Sequence, residues 1–225
     1  MAGLRAARAN VVPGLMVQAA MLTMLLAYRF YPPTTAWLDE LAKLKARWGF
    51  GYSAVAAVIA GALLPELLRI LVFQKGKVTA INGRNLIYTI PFWGTMAMTV
   101  DVLYRVQGVW FGTEATFAVV AKKVIFDQFI YSPLVSGPLT VWFYDFKIRG
   151  RNACPPREFF TWTHYREAVL PVMFATWGVW IPLVSILYSL PQLLQIPMYI
   201  LALTLWVMIY TWMSEQQRDE RLRDA

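Results

Sequence analysis

The sequence predicts an all-α membrane protein whose helices cross the bilayer and pack as a polytopic bundle. Hydrophobic residues make up 58% of the 225 residues and charged residues only 15%, whereas soluble domains carry about 25% charged residues. The apolar residues are also gathered into long runs, and the links between them are basic or rich in glycine and proline. We therefore expect about six membrane helices, with four as the alternative, and one or two further helices at the membrane interface.

Six apolar segments are candidates for membrane helices, because a crossing helix needs about 17 to 25 residues. The first is the weakest, since it is short and contains Pro13 and Gln18; its placement on the surface belongs to the four-helix alternative. The fourth contains Pro133 and Pro138, which predict a kinked or broken helix. The six segments are residues 11–28, 52–73, 86–104, 114–144, 168–190 and 194–213.

Residues 36–48 predict an amphipathic helix, with Thr34 or Thr35 as its N-cap. Such a stripe of apolar residues beside basic ones is typical of a helix in the membrane interface. Packing on another part of the protein would give the same pattern, so both interpretations stay open. A second, short surface helix is expected at residues 157–166. The apolar stripe consists of Trp37, Leu41, Leu44 and Trp48, and the basic residues beside it are Lys43, Lys45 and Arg47.

We expect one integral membrane domain over residues 1–225. Residues 1–48 hold the first span and the amphipathic helix, residues 49–214 form the bundle core, and residues 215–225 are a charged tail. With six crossings, most of the lysines and arginines of the links fall on the side that carries both termini. That side is then the cytoplasm or the mitochondrial matrix. The basic N-terminus fits the flank of the first span, or a weak mitochondrial presequence.

The net charge of +8 raises the question of nucleic-acid binding. The basic residues lie in the gaps between apolar runs and not on one folded face, which favours a membrane protein and argues against a nucleic-acid partner. Cys154 is the sole cysteine, so no internal disulfide forms. The expected partners are the lipid bilayer and small polar solutes or ions, with a homo-oligomer left open.

The motifs of common enzyme classes are absent from the sequence. It contains no P-loop, dinucleotide-binding glycine motif, zinc-protease motif or serine-hydrolase elbow. His164 is the sole histidine, which excludes multi-histidine metal sites. Cys154 and His164 lie ten residues apart without a third group to make a catalytic pair. We therefore expect no enzyme activity, no cofactor and no metal.

The candidate functional residues are polar side chains inside the apolar segments, because a charge at bilayer depth is costly and usually functional. Glu66 and Arg69 are three residues apart, and Lys123 and Asp127 four, so each pair lies on one helix face. Asp101 stands alone in its segment, near its end. Two interpretations stay open: the charges brace the helices, or they line an aqueous path. The full set is Glu66, Arg69, Asp101, Lys122, Lys123, Asp127 and Gln128.

Two stretches of the chain resemble a known family. The first has a lysine pair, then Asp127-Gln128, then Pro133; the second has Trp177, Trp180 and Pro182, followed by Tyr188 and Pro191. Together they resemble the peroxisomal twenty-two-kilodalton membrane protein family, which also has mitochondrial inner-membrane members. The resemblance covers about residues 49–214. Ile181 separates Trp180 from Pro182, and the amides that the family carries afterwards are missing here, so the chain resembles a divergent member.

The resemblance implies a compact helical bundle that acts as a weakly selective channel or a small-solute permeation factor. Charge selection is then expected from Asp127 and Lys123, and gating or pairing from Glu66 and Arg69. The membrane is expected to be the mitochondrial inner or the peroxisomal membrane, or the inner membrane of a bacterium. The alternative is a scaffold or assembly factor that transports nothing. A membrane enzyme acting on lipid ranks third.

Overall fold

The structure is a computed structural model that describes residues 11–150 and 153–223, and this part of the chain is helical and contains no strand. The predicted all-α membrane fold is thereby confirmed. The basic flank at residues 1–10, Arg151 of the basic link and the last two residues of the tail lie outside the described residues.

The first three helices follow one another through single-residue links. Helix α1 is Val11–Phe30, α2 is Pro32–Trp48, and α3 runs over Phe50–Phe73. Gly49 turns the chain between α2 and α3 with φ of +55°, a conformation that glycine adopts at little cost.

The start of α2 differs from the prediction. Thr34 and Thr35 are not the N-cap, because the helix begins earlier, at Pro32, and its N-cap is Tyr31. Proline suits the first helical turn, since the backbone N–H groups there need no partner within the helix. The Thr35 hydroxyl instead donates to the Tyr28 carbonyl over 2.7 Å.

The next helices are longer and less regular than the prediction. Helix α3 contains two π-helical turns, Ile59–Leu63 and Arg69–Phe73, and α4 runs over Ala80–Phe111 with a proline in its interior. Helix α5 is Phe117–Phe126. A π-helical segment, Asp127–Ser136, then connects it to α6, Gly137–Arg149.

The fourth predicted segment does not break at its prolines. Pro133 lies inside the π-helical segment and Pro138 lies in the first turn of α6. The first turn of a helix tolerates a proline, and a π-helical segment has an altered hydrogen-bond pattern that absorbs the missing N–H. The chain therefore stays helical from Phe117 to Arg149.

The remaining helices are α7 (Pro156–Phe159), α8 (Trp162–His164), α9 (Leu170–Tyr188) and α10 (Gln192–Arg223), with π-helical turns between α8 and α9. The single surface helix predicted at residues 157–166 is wrong. Thr161 is extended and its hydroxyl accepts from the His164 N–H over 3.3 Å, so a new helix begins there.

Four helices among the described residues are long and apolar enough to cross a membrane: α1, α3, α4 and the Gln192–Ile209 part of α10. Trp162–Phe174 and Thr176–Tyr188 are bent by 54° and make a fifth if they form one span. The first predicted segment, the weakest by sequence, is among the four. The fourth is not, because charged and amide side chains interrupt its apolar run.

The contacts divide the chain into two compact units, neither of which is a continuous stretch. Unit 1 takes in the chain up to Leu22 together with Leu103–Pro191, and unit 2 takes in Thr23–Val102 together with the chain from Gln192. In unit 1, α9 packs against α5 and the π-helical segment. In unit 2, α10 packs against α2 and α3.

A close approach in unit 1 fixes the start of α1. An added Cβ at Gly14 would lie 2.6 Å from a methyl group of Val179, so only glycine fits there. One turn further on, the Gln18 amide donates to the carbonyls of Gly178 and Val179, over 3.0 Å each. Gln18, which weakens the segment in sequence, thus holds α1 against α9.

Two faces of helix α2 bear on the two interpretations of its sequence, packing on the protein and a position in the membrane interface. Leu38, Ala42 and Lys45 are buried, which confirms packing on the protein. The predicted apolar stripe lies on another face, where Trp37 and Trp48 remain 50% and 58% exposed.

Candidate functional site

Four buried polar side chains come together in unit 1, and we call them the unit-1 cluster. They are Gln107 from α4, Lys123 from α5, Asp127 at the start of the π-helical segment and Tyr188 at the end of α9. None of the four residues is more than 5% exposed.

Tyr188 is the centre of this cluster. Its hydroxyl donates to Asp127 Oδ2 over 2.6 Å, and Ser132 Oγ makes a longer contact of 3.4 Å with the other carboxylate oxygen. The Lys123 amine lies over the Tyr188 ring, 5.8 Å from its centroid, within reach of a cation–π interaction. Tyr104 packs on the same ring edge-to-face, with centroids 5.1 Å apart.

The predicted ion pair between Lys123 and Asp127 is wrong as a direct contact. No nitrogen–oxygen distance of 4.0 Å or less joins the two side chains, both of which the structure describes. The regular helix ends at Phe126, so the i, i+4 alignment stops before Asp127. Tyr188, 61 residues after Asp127, donates its hydroxyl to the carboxylate, and the Lys123 amine lies over its ring.

Two polar groups of the unit-1 cluster have no hydrogen-bond partner in the described chain. The Gln107 amide donates to the Lys123 carbonyl over 3.1 Å, while its buried Oε1 has no partner. Lys123 is 1% exposed as a residue, and its amine has no hydrogen-bond acceptor in the described part of the chain. Buried polar groups are almost always paired, and a buried polar site of this kind commonly holds water. The cluster therefore keeps one donor group, the Lys123 amine, and one acceptor atom, Gln107 Oε1, without a hydrogen-bond partner in the described chain.

The residues that carry the family resemblance lie around this cluster. Trp177 Nε1 donates to the Gln128 carbonyl over 3.0 Å, and the carbonyl of Pro133 accepts from the Tyr165 hydroxyl over 3.1 Å. Gln128 is buried. The remaining predicted residues have these positions: Lys122 is exposed beside the buried Lys123, Trp180 and Pro182 lie within α9, and Pro191 lies in the link after it.

Unit 2 contains the predicted pair of Glu66 and Arg69, joined over 2.9 Å. Two asparagines of α4 add to it: Asn82 Nδ2 donates to the carboxylate over 2.6 Å, and Asn85 lies at 3.4 Å. Glu66 is 5% exposed, so a buried carboxylate has its acceptor positions occupied by protein donors. Nothing in the sequence spacing indicated the asparagines, 16 and 19 residues away.

Asp101, predicted to stand alone near a membrane edge, is instead buried and paired. It forms an ion pair with Lys45, and Ser53 Oγ donates to the same carboxylate oxygen over 2.6 Å. The lysine also donates to the Gly49 carbonyl over 2.9 Å. The sequence held one signal for this pair: Lys45 lies on the face of α2 that carries Leu38 and Ala42, not with Lys43 and Arg47.

The Cys154 thiol lies 3.7 Å from His164 Nδ1, in the link before α9. Partial burial raises the pKa of this thiol, and the carboxylates of Glu158 and Asp145 raise it further, against a smaller opposite effect of Arg149. A thiol with a raised pKa is a poor nucleophile at neutral pH. In residues 11–150 and 153–223, no group of three or more histidine, cysteine, aspartate or glutamate side chains is arranged to hold a metal.

No family model, curated protein or solved structure matches this chain.

Proposed function

We propose that this protein lets small polar solutes or ions permeate a membrane, and that the unit-1 cluster contacts the solute. The observation that carries the proposal is the unused hydrogen-bonding capacity of Lys123 and Gln107 inside an apolar helical chain. Polar groups at membrane depth are costly to keep unless they face a wet cavity or a solute. A permeant that accepts from the amine and donates to the amide carbonyl would satisfy both.

The buried charges of unit 2 favour the second candidate function, a scaffold. Glu66 is bonded by Arg69 and Asn82, and Asp101 by Lys45 and Ser53. Side chains with protein partners on every side suit a brace better than a pore lining. We therefore propose that Glu66, Arg69 and Asp101 brace the helices and do not line a pore, and that the unit-1 cluster contacts the solute.

We also propose membership of the peroxisomal twenty-two-kilodalton membrane protein family, with the mitochondrial inner or peroxisomal membrane as the location in a eukaryote. What supports this is that the separate motif stretches meet in unit 1. Trp177 bonds to the backbone of Gln128, and Tyr188 bonds to Asp127.

We propose six crossings, which place both termini on the cytoplasmic or matrix side. Helix α5, the π-helical segment and α6 follow without a break over 10, 10 and 13 residues. At about 1.5 Å per residue they are about 50 Å long, more than the roughly 30 Å of the hydrocarbon core. The charges that interrupt the apolar run, Lys123 and Asp127, are buried.

Cys154 is a natural reporter of this topology, since it is the sole cysteine and lies in the link between α6 and α9. An impermeant maleimide should label it only from the side that carries the termini. Because the thiol pKa is raised, labelling should speed up as the pH rises above neutrality. Labelling from the opposite side alone would contradict six crossings.

The flux experiment uses the purified full chain in liposomes and a panel of ions and uncharged polyols. Lys123→Met removes the buried amine, and Lys122→Met is its matched control because that lysine is exposed one position earlier. We expect solute flux in the wild type and in Lys122→Met. In Lys123→Met we expect a flux or an anion-to-cation selectivity changed by about tenfold, the effect of about 1.4 kcal/mol.

Two variants of Asp127 test the other end of the cluster in the same liposomes: Asp127→Asn keeps the size of the side chain, and Asp127→Ala shortens it. Both should alter flux or selectivity, since each removes the charge that Tyr188 binds. Wild-type flux equal to that of protein-free liposomes would overturn permeation and favour the scaffold. Unchanged flux and selectivity in Lys123→Met and both Asp127 variants would remove the cluster from the mechanism.

A further inference from the structure

A cavity of about 420 Å³ opens in unit 2 where the chain passes from α1 to α2. Its walls include Arg29, Phe30 and Tyr31 from the end of α1 and the link, and Thr35 and Asp39 from the first turns of α2. Its volume falls within the range of about 300 to 1,000 Å³ that is usual for small-molecule sites.

The cavity holds two opposite charges that are not joined to each other. Arg29 and Asp39 both line it, and neither makes an ion pair or a side-chain hydrogen bond in the structure. Both side chains are exposed. A molecule that carries an anionic and a cationic group side by side could satisfy both at once.

The local backbone leaves Arg29 as the anion-binding group of this cavity. Pro32 and Pro33 have no N–H to offer at the start of α2. The next two N–H groups, those of Thr34 and Thr35, donate to the Tyr31 carbonyl, and the Thr35 hydroxyl donates to the Tyr28 carbonyl. An anion in the cavity would therefore be bound by the guanidinium, which offers a planar pair of donors to phosphate oxygens.

The cavity lies at the end of a helix that is long and apolar enough to cross a membrane, α1. Such an end lies near the depth of the lipid headgroups. Phe30 and Tyr31 are 77% and 60% exposed there, and aromatic residues concentrate at this depth. Leu26, one turn back along α1, is also exposed and offers an apolar surface to an acyl chain.

We infer that this cavity binds the headgroup of a zwitterionic phospholipid, with the phosphate on Arg29 and the ammonium group on Asp39. Tyr31 also lines the cavity, and a tyrosine ring can bind an ammonium group. An anionic headgroup without an ammonium group would satisfy the guanidinium but would face repulsion from the carboxylate. The inference does not rest on solute permeation.

The test measures lipid retention by native mass spectrometry of the full chain, delipidated and then titrated with phosphatidylethanolamine, phosphatidylcholine or phosphatidylglycerol. For the wild type we expect about tenfold tighter binding of the two zwitterionic lipids, the effect of about 1.4 kcal/mol from the attraction between the ammonium group and the carboxylate. Arg29→Gln should weaken all three lipids. Asp39→Asn should abolish the preference while binding of phosphatidylglycerol persists or improves.

Arg166→Gln combined with Glu167→Gln is the matched control, because these two residues lie 3.8 Å apart with exposed side chains and neither belongs to the cavity lining. We expect it to bind lipid as the wild type does. Equal affinity of the wild type for all three lipids, or Arg29→Gln and Asp39→Asn that bind like the control, would overturn the site. Liposome flux measured on the same variants separates this result from permeation, since all of them should retain wild-type flux.

Discussion

Buried charges in unit 2 meet protein partners, whereas those in unit 1 are only partly satisfied. Asp101 is held by Lys45 and Ser53. In the unit-1 cluster, by contrast, the Lys123 amine has a ring beneath it and no hydrogen-bond acceptor in the described chain. A fully satisfied polar network rigidifies a protein, while an unsatisfied buried group needs a further reason. The two units therefore differ in how their buried charges are held: the carboxylates of unit 2 have complete sets of protein partners, and the lysine of unit 1 does not.

The largest loss of stability is expected when the buried ion pair of Lys45 and Asp101 is broken. Lys45→Met leaves the Asp101 carboxylate buried without its cation, and removal of one partner of a buried pair costs about 3–5 kcal/mol. The free energy of unfolding in mixed detergent micelles measures this loss. Lys43→Met is the control, since its side chain is 70% exposed and pairs only on the surface, where a salt bridge contributes at most about 1 kcal/mol.

The double variant Lys45→Met with Asp101→Leu shows whether the loss comes from an unpaired charge. Replacement of both partners by apolar side chains is often close to neutral, so it should recover most of the stability that Lys45→Met loses. If Lys45→Met were as stable as Lys43→Met, the proposal that the buried charges of unit 2 brace the protein would be wrong.

The second effect is expected at the one strong hydrogen bond of the unit-1 cluster. Tyr188→Phe keeps the ring under Lys123 but removes the shortest hydrogen bond of Asp127, the 2.6 Å contact with the tyrosine hydroxyl. A buried acceptor without its donor costs about 1–3 kcal/mol, to be read from the same unfolding experiment. Ser132→Ala, which removes only the 3.4 Å contact, should cost less; an equal or larger cost would move the centre of the cluster away from Tyr188.

The long apolar helices were predictable from sequence because each one corresponds to a run of apolar residues that are adjacent in the chain. Each apolar run became a helix, and the pair of Glu66 and Arg69 formed because residues three apart share a helix face. The boundaries were less predictable. The continuous helix through Pro133 depends on π-helical turns, which no residue pattern in the sequence announced.

The site was less predictable than the fold because its contacts are distant along the chain. The sequence identifies Asp127 and Lys123 as candidate site residues but not their partner Tyr188, which lies more than 60 residues further along the chain. Lys45 was interpreted as one more interfacial cation, although it lies 56 residues from Asp101 and pairs with it. Local spacing indicates which polar residues share a helix face. Only packing shows which of them are buried and which group faces them.

A smaller effect is expected at the contact between the two motif stretches. Trp177→Phe removes the indole N–H that donates to the Gln128 carbonyl, and one such bond contributes about 1 kcal/mol. Trp142→Phe is the control, because that indole stacks on Phe146 and makes no hydrogen bond in the structure. Equal stability of the two variants would show that the contact between the motifs does not stabilise unit 1.

The smallest effect on stability is expected at Lys123. This variant also distinguishes best between bracing and solute contact. Lys123 is buried as a residue and its amine has no hydrogen-bond acceptor in the described chain. Lys123→Met therefore removes a poorly compensated charge and keeps a side chain of similar length. The free energy of unfolding should therefore stay within about 1 kcal/mol of the wild type or rise, as for Lys122→Met. A loss of about 3 kcal/mol, as expected for Lys45→Met, would mean that Lys123 braces the protein too. Unchanged stability together with altered flux would mean that unit 1 keeps this lysine for a solute.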